Sequence, residues 1–140
     1  MNHAQLQKTL RASQYAEQVL SVHHDVLQHD YAQDQFLTSL TTEKIYAVVD
    51  QALAEVTDEQ VWMRQLRILR ARLMFRWIWQ DANQLTDVLT LTRELSDFAD
   101  AAICAAKDFA LPPLVAKYGQ PIGYNGKVQE LIVIALGQLG

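Results

Sequence analysis

The chain contains no glycine and no proline before Pro112, and this feature limits its possible folds most strongly. All five glycines lie from Gly119 onward. Because glycine and proline are the residues that most often interrupt helices and form tight turns, residues 1–111 are expected to form long helices. The sequence therefore divides into a helical body, residues 1–118, and a turn-rich tail, residues 119–140.

Apolar residues recur at helical spacing through the body, and residues suited to helix starts precede several of the segments. The candidate helix starts are Thr41 or Thr42, Thr57 or Asp58, and Thr86. Pro112 is predicted to kink or end the last long helix, with Pro113 in the first turn of a short continuation to Tyr118. Gly119 is suited to end that continuation. The pattern predicts an all-α, up-and-down helical bundle.

Composition places the chain among folded proteins of ordinary size. Half of its 140 residues are apolar and its formal net charge is −4, which argues against nucleic acid as an overall partner. Cys104 is the only cysteine, so no intrachain disulfide can form, which suits a reducing compartment. No apolar run reaches the ~20 residues of a membrane span, and residues 1–20 are too polar for a signal peptide. We expect a soluble, cytoplasmic protein with no membrane partner.

The segment MRQLRILRARLMFRWIWQDA, residues 63–82, places five arginines among apolar residues. On a helical wheel the apolar residues surround most of the helix, which is typical of a central bundle helix. Arg72 and Arg76 share its mainly polar stripe, whereas Arg64, Arg67 and Arg70 lie between apolar arcs. Because an unpaired buried guanidinium is costly, we predict structural ion pairs for all five, within the chain or between domains. The nine acids of residues 1–60 are the natural partners.

The sequence argues against three other kinds of site. A nucleic-acid surface would place the arginines on one accessible face and would show steep salt dependence, whereas here they are scattered around the helix. His23, His24 and His29 do not predict a metal site, because adjacent histidines diverge by about 100° on a helix and no third ligand is suitably spaced. Cys104, within AAICAA, is predicted to be a small core residue rather than a nucleophile.

The tail has a different character from the body. YGQPIGYNGK is rich in turn residues, and Asn125-Gly126 predicts a hairpin or tight turn. Val128–Leu136 follows with the β-branched, apolar composition of a buried strand. Because one strand cannot form a sheet, it is expected to pair either with a second copy of the chain or with polypeptide that follows.

Four segments resemble the N-terminal half of the glutamine synthetase adenylyltransferases, a bacterial enzyme family of nitrogen metabolism. LRILRARLMFRWIWQD resembles the LRxxRxRxMxRIxWxD helix of that family. LTRELSDFADAAICAAKDF resembles its Leu-Ser-x-Leu-Ala-Asp helix. KYGQP and ELIVIALGQLG resemble the passage into a strand that ends Gly-Met-Gly-Lys-Leu-Gly-Gly. SQYAEQVLSVHHDVL, residues 13–27, also resembles an early helix of the family, with His24 or Asp25 where a proline is common, so the resemblance covers roughly residues 13–140.

The resemblance implies that the tail begins a nucleotidyltransferase domain of the DNA polymerase β kind. In the whole enzyme, a later Asp-x-Asp pair would hold Mg²⁺ against the phosphates of ATP or ADP. The enzyme would transfer AMP to a tyrosine of glutamine synthetase and remove it with phosphate, and a nitrogen-regulatory PII protein would be a further partner. Gly137, Gln138 and Gly140 would be the nucleotide-binding residues. Gln138 stands where the family has lysine, which removes a phosphate contact.

The chain itself contains none of the expected catalytic carboxylates. We therefore expect residues 1–140 to be a scaffold without catalytic activity or a cofactor of their own, within a larger enzyme. The alternative is a stand-alone helical interaction module without chemistry, which forms a homodimer through the tail at residues 128–136.

Overall fold

The computed structural model describes residues 1–134, and within them the chain forms five helices. The helices are α1 (His3–Ala12), α2 (Gln14–Ala32), α3 (Thr42–Leu53), α4 (Glu59–Ala82) and α5 (Val88–Tyr118). The only β-type pairing in this part of the chain is an isolated bridge between Ile122 and Val128. The predicted all-α class is confirmed. None of the helices in residues 1–134 combines the length and the apolar character that a membrane crossing requires.

Helix starts are fixed by side-chain caps at or beside the predicted positions. The Thr41 hydroxyl accepts the Lys44 N–H at the start of α3, and the Asp58 carboxylate accepts the Val61 N–H at the start of α4. Asp87, not Thr86, caps α5, and it accepts hydrogen bonds from the backbone N–H and the hydroxyl of Thr90. These hydrogen bonds favour the charged carboxylate and lower the pKa of Asp87 below its ordinary value of 3.8.

The first helical segment is divided in two. Ser13 has an extended backbone, and its hydroxyl accepts the Ala16 N–H, so it ends α1 and caps α2. Within α2 the backbone leaves helical geometry at His23. These two breaks allow α1 and α2 to follow the surface of α4 instead of extending away from it.

Of the kink or end predicted at Pro112, the end is wrong, because α5 continues through both prolines. The predicted helical continuation to Tyr118 is found. Each proline removes only one N–H donor, and the carbonyls affected, those of Asp108 and Phe109, lie near the exposed end of the helix where water can reach them. Gly119 ends the helix as predicted, with a φ of 79° and its N–H donating to the Val115 carbonyl at 2.8 Å.

Helix α4 lies at the centre and separates two apolar cores. One core packs one side of α4 against α3 and α5, and its buried members are Ile45, Val49, Leu53, Trp62, Leu69, Leu73, Trp77, Phe98 and Ala101. The other packs the opposite side of α4 against α2, and its buried members are Ala16, Val19, Leu27, Phe36, Phe75 and Trp79. Each large side chain buried in this way contributes about 1.5–3 kcal/mol to stability. The predicted central helix is therefore found at residues 59–82.

The tail begins with the predicted tight turn. The Gly126 N–H donates to the Gly123 carbonyl, and Gly126 has a φ of 70°. The predicted strand is not formed over residues 129–134, which have no regular secondary structure. A strand needs a hydrogen-bonded neighbour, and the described residues provide only the single bridge at Val128. Residues 135 and 136 of that prediction lie outside the described residues, and the division of the chain at 118/119 into two domains stays a prediction.

Candidate functional site

Arg76 lies between the two cores, and 3% of its surface is exposed. Its Nη1 donates to Glu94 Oε2 at 2.8 Å, and its Nε donates to the Gln35 carbonyl at 2.7 Å. Its Nη2 donates to the Thr38 carbonyl. One guanidinium therefore joins α4 to α5 and to the loop between α2 and α3.

Glu94 is the buried acceptor at the centre of this network, and its side chain is fully buried. Besides Arg76, its Oε2 accepts the indole N–H of Trp77 at 2.8 Å, and its Oε1 accepts the backbone N–H of Leu40 at 2.8 Å. The guanidinium of Arg93 lies 3.9 Å from Oε1. These donors satisfy the hydrogen-bonding capacity of the buried carboxylate without access to water.

Arg72 makes the second buried pair, one helical turn before Arg76. Its Nε and Nη2 donate to the two carboxylate oxygens of Asp30 at 2.8 and 2.7 Å. The Asp30 side chain is 4% exposed and the Arg72 side chain is 31% exposed. This two-point geometry fixes the end of α2 against α4.

A third group of contacts fastens the loop to α5 at the surface. Arg93 donates to Asp97 at 2.9 Å and to the Leu40 carbonyl at 2.8 Å. The Thr42 hydroxyl donates to Asp97 at 2.9 Å. A cavity of about 420 Å³ opens beside this loop, with Asp30, Arg72 and Arg76 in its wall.

The network joins four parts of the chain and balances its own charge. Arg72 and Arg76 supply two positive charges, and Asp30 and Glu94 supply two negative charges. Their ionic groups contact each other and backbone carbonyls or amides, so they are committed to structural contacts. The arrangement fixes the loop at residues 33–41 and the relative positions of α2, α4 and α5. This is the chemistry of a structural ion-pair centre.

The other three predicted ion-pair arginines lie elsewhere on α4. Arg64, Arg67 and Arg70 are exposed, and none of them has a carboxylate within 4.0 Å among residues 1–134. They lie in the N-terminal half of α4, whereas Arg72 and Arg76 lie in its C-terminal half. The structure thus brings together Arg72 and Arg76 and leaves the remaining three at the surface.

The predicted nucleotide-binding residues Gly137, Gln138 and Gly140 lie outside the described residues. Their role stays a prediction. Within residues 1–134, no group of three or more His, Cys, Asp or Glu side chains lies close enough together to hold a metal ion.

The prediction that Cys104 is a core residue is wrong, because its side chain is exposed. On α5, Ala101 and Ala105 turn toward the core at α3 and α4. Cys104 lies about 100° around the helix from Ala105, which turns it away from that core.

Glu94 was not identified from the sequence, although a signal was present. It lies between Leu91 and Phe98 at helical spacing, on the side of α5 that faces the core. A charged residue within an apolar stripe needs a buried partner, and Arg76 is the arginine that fills this role. Asp30 belongs to the acid-rich region expected to pair with the arginines.

Comparisons with known proteins match the chain over nearly its whole length. The family model described as glutamate-ammonia ligase adenylyltransferase matches residues 3–140. A bifunctional glutamine synthetase adenylyltransferase/adenylyl-removing enzyme from Acinetobacter baylyi is 64% identical over 140 residues, which is 100% of this chain and 15% of that relative. No solved structure matches the chain. The resemblance inferred from the sequence is confirmed, and the chain belongs to the glutamate-ammonia ligase adenylyltransferase family.

Proposed function

We propose that this chain is the helical region of an enzyme that attaches AMP to glutamine synthetase and removes it, and that its role there is structural. The observation that carries the proposal is the 64% identity over the whole chain with a relative named for both activities. The chain spans about 15% of that relative's length, so the reaction belongs to the larger enzyme.

The ion-pair centre supports a structural role. Its four ionic side chains contact each other and the backbone, and three of them, Asp30, Arg76 and Glu94, are shielded from water. A site that binds and releases a substrate requires groups that can exchange partners, whereas these groups hold α2, α4 and α5 in register. We infer that the helical body gives the tail a rigid support from which the transferase domain begins.

Mg²⁺ together with ATP, ADP or phosphate is proposed for the whole enzyme. Metal-bound carboxylates would supply the charge stabilisation that phosphoryl and nucleotidyl transfer require. The described residues contain no cluster of His, Cys, Asp or Glu side chains suited to hold that metal. Glutamine synthetase is the proposed substrate, and a PII protein is a proposed regulatory partner on the basis of the family resemblance.

A chimeric enzyme tests the proposal. The matching 140 residues of the Acinetobacter baylyi enzyme would be replaced by this chain, and both AMP attachment and AMP removal would be assayed with purified glutamine synthetase. We expect both rates to remain within about threefold of the parent enzyme. A chimera that is folded but has lost both activities would contradict the proposal. The parent enzyme without these residues serves as the reference for complete loss.

The alternative function, a self-associating interaction module, is favoured by one observation. Leu131, Ile132, Val133 and Ile134 are between 52% and 80% exposed, so the tail offers an apolar surface for a second copy. Sedimentation of the chain with Ile132→Asp beside the unchanged chain distinguishes the two functions. A dimer that this substitution dissociates would favour the module, and a monomer in both cases would favour the enzyme region.

A further inference from the structure

An apolar groove runs between α4 and α5. The two helices are antiparallel, because Trp62 stacks on Phe109 and Trp77 contacts Phe98. Two cavities follow one another along this line, one of about 540 Å³ and one of about 850 Å³. Ala106 lines the first and Ala102 lines the second, one helical turn apart. We call this surface the α4–α5 groove.

The α5 wall of the groove has the shape that a packed helix requires. Leu95, Ala99, Ala102, Ala106 and Ala110 recur at intervals of three and four residues and so lie on one side of α5. Small side chains at these positions permit helix axes to approach to about 8–10 Å. From Leu95 to Leu114 the groove extends about 28 Å, which matches a partner helix of roughly five turns.

The α4 wall has a different chemistry, and it identifies the partner. Met63, Arg67, Arg70 and Met74 lie along one edge of α4 at the same helical spacing. Met63 and Arg70 line the groove cavities, and Arg67 lines an adjoining cavity with Met63. Neither Arg67 nor Arg70 forms an ion pair within residues 1–134. This edge offers the positive charge of Arg67 and Arg70 beside exposed apolar surface, and the carboxylate of Glu59 lies at its N-terminal end, in the wall of the first cavity.

From this combination we propose that the α4–α5 groove binds an amphipathic helix of a partner protein, with carboxylates along the edge that meets Arg67 and Arg70. The apolar face of the partner helix packs on the alanines of α5 and on Met63 and Met74, and its carboxylates pair with the two guanidinium groups. A bare polyanion would satisfy the arginines but would leave the apolar floor uncovered. The proposal does not depend on the enzymatic function proposed above.

The probe for this proposal is a synthetic helical peptide of about 18 residues, five turns, with leucine and alanine on one face and glutamate along one edge. A second peptide has glutamine in place of every glutamate. Isothermal titration into the 140-residue chain should show the glutamate peptide binding about fivefold more tightly than the glutamine peptide. Equal binding of the two peptides, or no binding of either, would overturn the proposal.

Variants of the chain locate the site. Arg67→Gln with Arg70→Gln should remove the preference for glutamate, whereas Lys8→Gln with Arg11→Gln, the same charge change on exposed positions of α1, should retain it. Ala99→Trp should fill the groove and abolish binding of both peptides, with the helical circular dichroism unchanged. Retained binding in folded Ala99→Trp would overturn the proposal.

Two further results would assign the groove to a different occupant and so overturn the proposal. One is a dimer of the chain, seen by sedimentation, that Ala99→Trp dissociates. The other is binding of single-stranded DNA that falls steeply with salt and is lost in the double arginine variant.

Discussion

The guanidinium of Arg76 and the carboxylate of Glu94 are 2.8 Å apart in the interior of the helical body, with side-chain exposures of 4% and 0%. Arg76 comes from the central helix α4 and Glu94 from α5, so this pair joins two consecutive helices. Around it, backbone groups of the loop at residues 33–41 supply further hydrogen bonds. The loop conformation therefore depends on a correctly formed pair.

Glu94→Gln should destabilise the chain by about 3 kcal/mol, because it leaves the Arg76 cation buried without its counter-charge. Urea unfolding followed by circular dichroism measures the loss. Replacing both partners, with Arg76→Met and Glu94→Leu, should cost less than the sum of the two single changes, since no charge is then stranded. A loss below about 1 kcal/mol for Glu94→Gln would show that the pair contributes little.

Asp30→Asn should have a smaller effect than Glu94→Gln. Asp30 is buried, but its partner Arg72 is 31% exposed and can be hydrated when the charge is removed. We expect a loss of about 1–2 kcal/mol in the same urea experiment. A larger loss of stability for Asp30→Asn than for Glu94→Gln would contradict the prediction that the more deeply buried pair contributes more to stability.

Acid should weaken the start of α5 through Asp87. Hydrogen bonds from the backbone N–H and hydroxyl of Thr90 lower the pKa of this carboxyl below its ordinary value of 3.8. A lowered folded-state pKa contributes stability above the ordinary value, and that stability is lost as pH falls through the folded-state pKa. Asp87→Asn retains a capping side chain but does not titrate there. The decrease in Tm from about pH 6 to about pH 2 should be larger for the unchanged chain than for Asp87→Asn. Equal decreases would contradict the assignment.

Replacing both prolines of α5 by alanine should strengthen its last turns. The new N–H groups at positions 112 and 113 can donate to the carbonyls of Asp108 and Phe109, and each proline costs a helix interior about 3 kcal/mol relative to alanine. Hydrogen exchange of the amides from Leu114 to Tyr118 should slow in this variant. Exchange that stays the same would indicate that the prolines do not limit the end of α5.

Helix positions could be predicted because their causes are local. Thr41 and Asp58 each cap a helix by accepting the backbone N–H of the residue three positions later. Apolar residues surround most of α4, and this pattern predicted its central position. The prediction at Pro112 considered only the free-energy cost of a proline in a helix interior. That cost is smaller where the freed carbonyls can be hydrated, which depends on how far α5 extends beyond the bundle.

The sequence predicted ion pairs between the arginines of α4 and acidic residues, but not which residues would pair. A helical wheel shows that Arg72 and Arg76 share a stripe, but it does not show which helices cover that stripe. Arg64, Arg67 and Arg70 lie between apolar arcs on the wheel, yet all three are exposed. Burial is decided by how the helices pack. The apolar stripe of α5 marks Glu94 as an acid that needs a buried partner, but only the packing of α5 against α4 shows that the partner is Arg76.

The proposed role of the helical body, a structural support for adenylyl transfer, is tested most directly by the rate of one reaction. This is the rate of AMP removal from adenylylated glutamine synthetase by the Acinetobacter baylyi chimera carrying Glu94→Gln, with Lys8→Gln at an exposed position as the control. We predict that Lys8→Gln leaves the chimera's rate of AMP removal unchanged. At temperatures where Glu94→Gln has unfolded the helical body, that substitution should lower the rate about tenfold or more. Full activity of the Glu94→Gln chimera with an unfolded helical body would contradict the account.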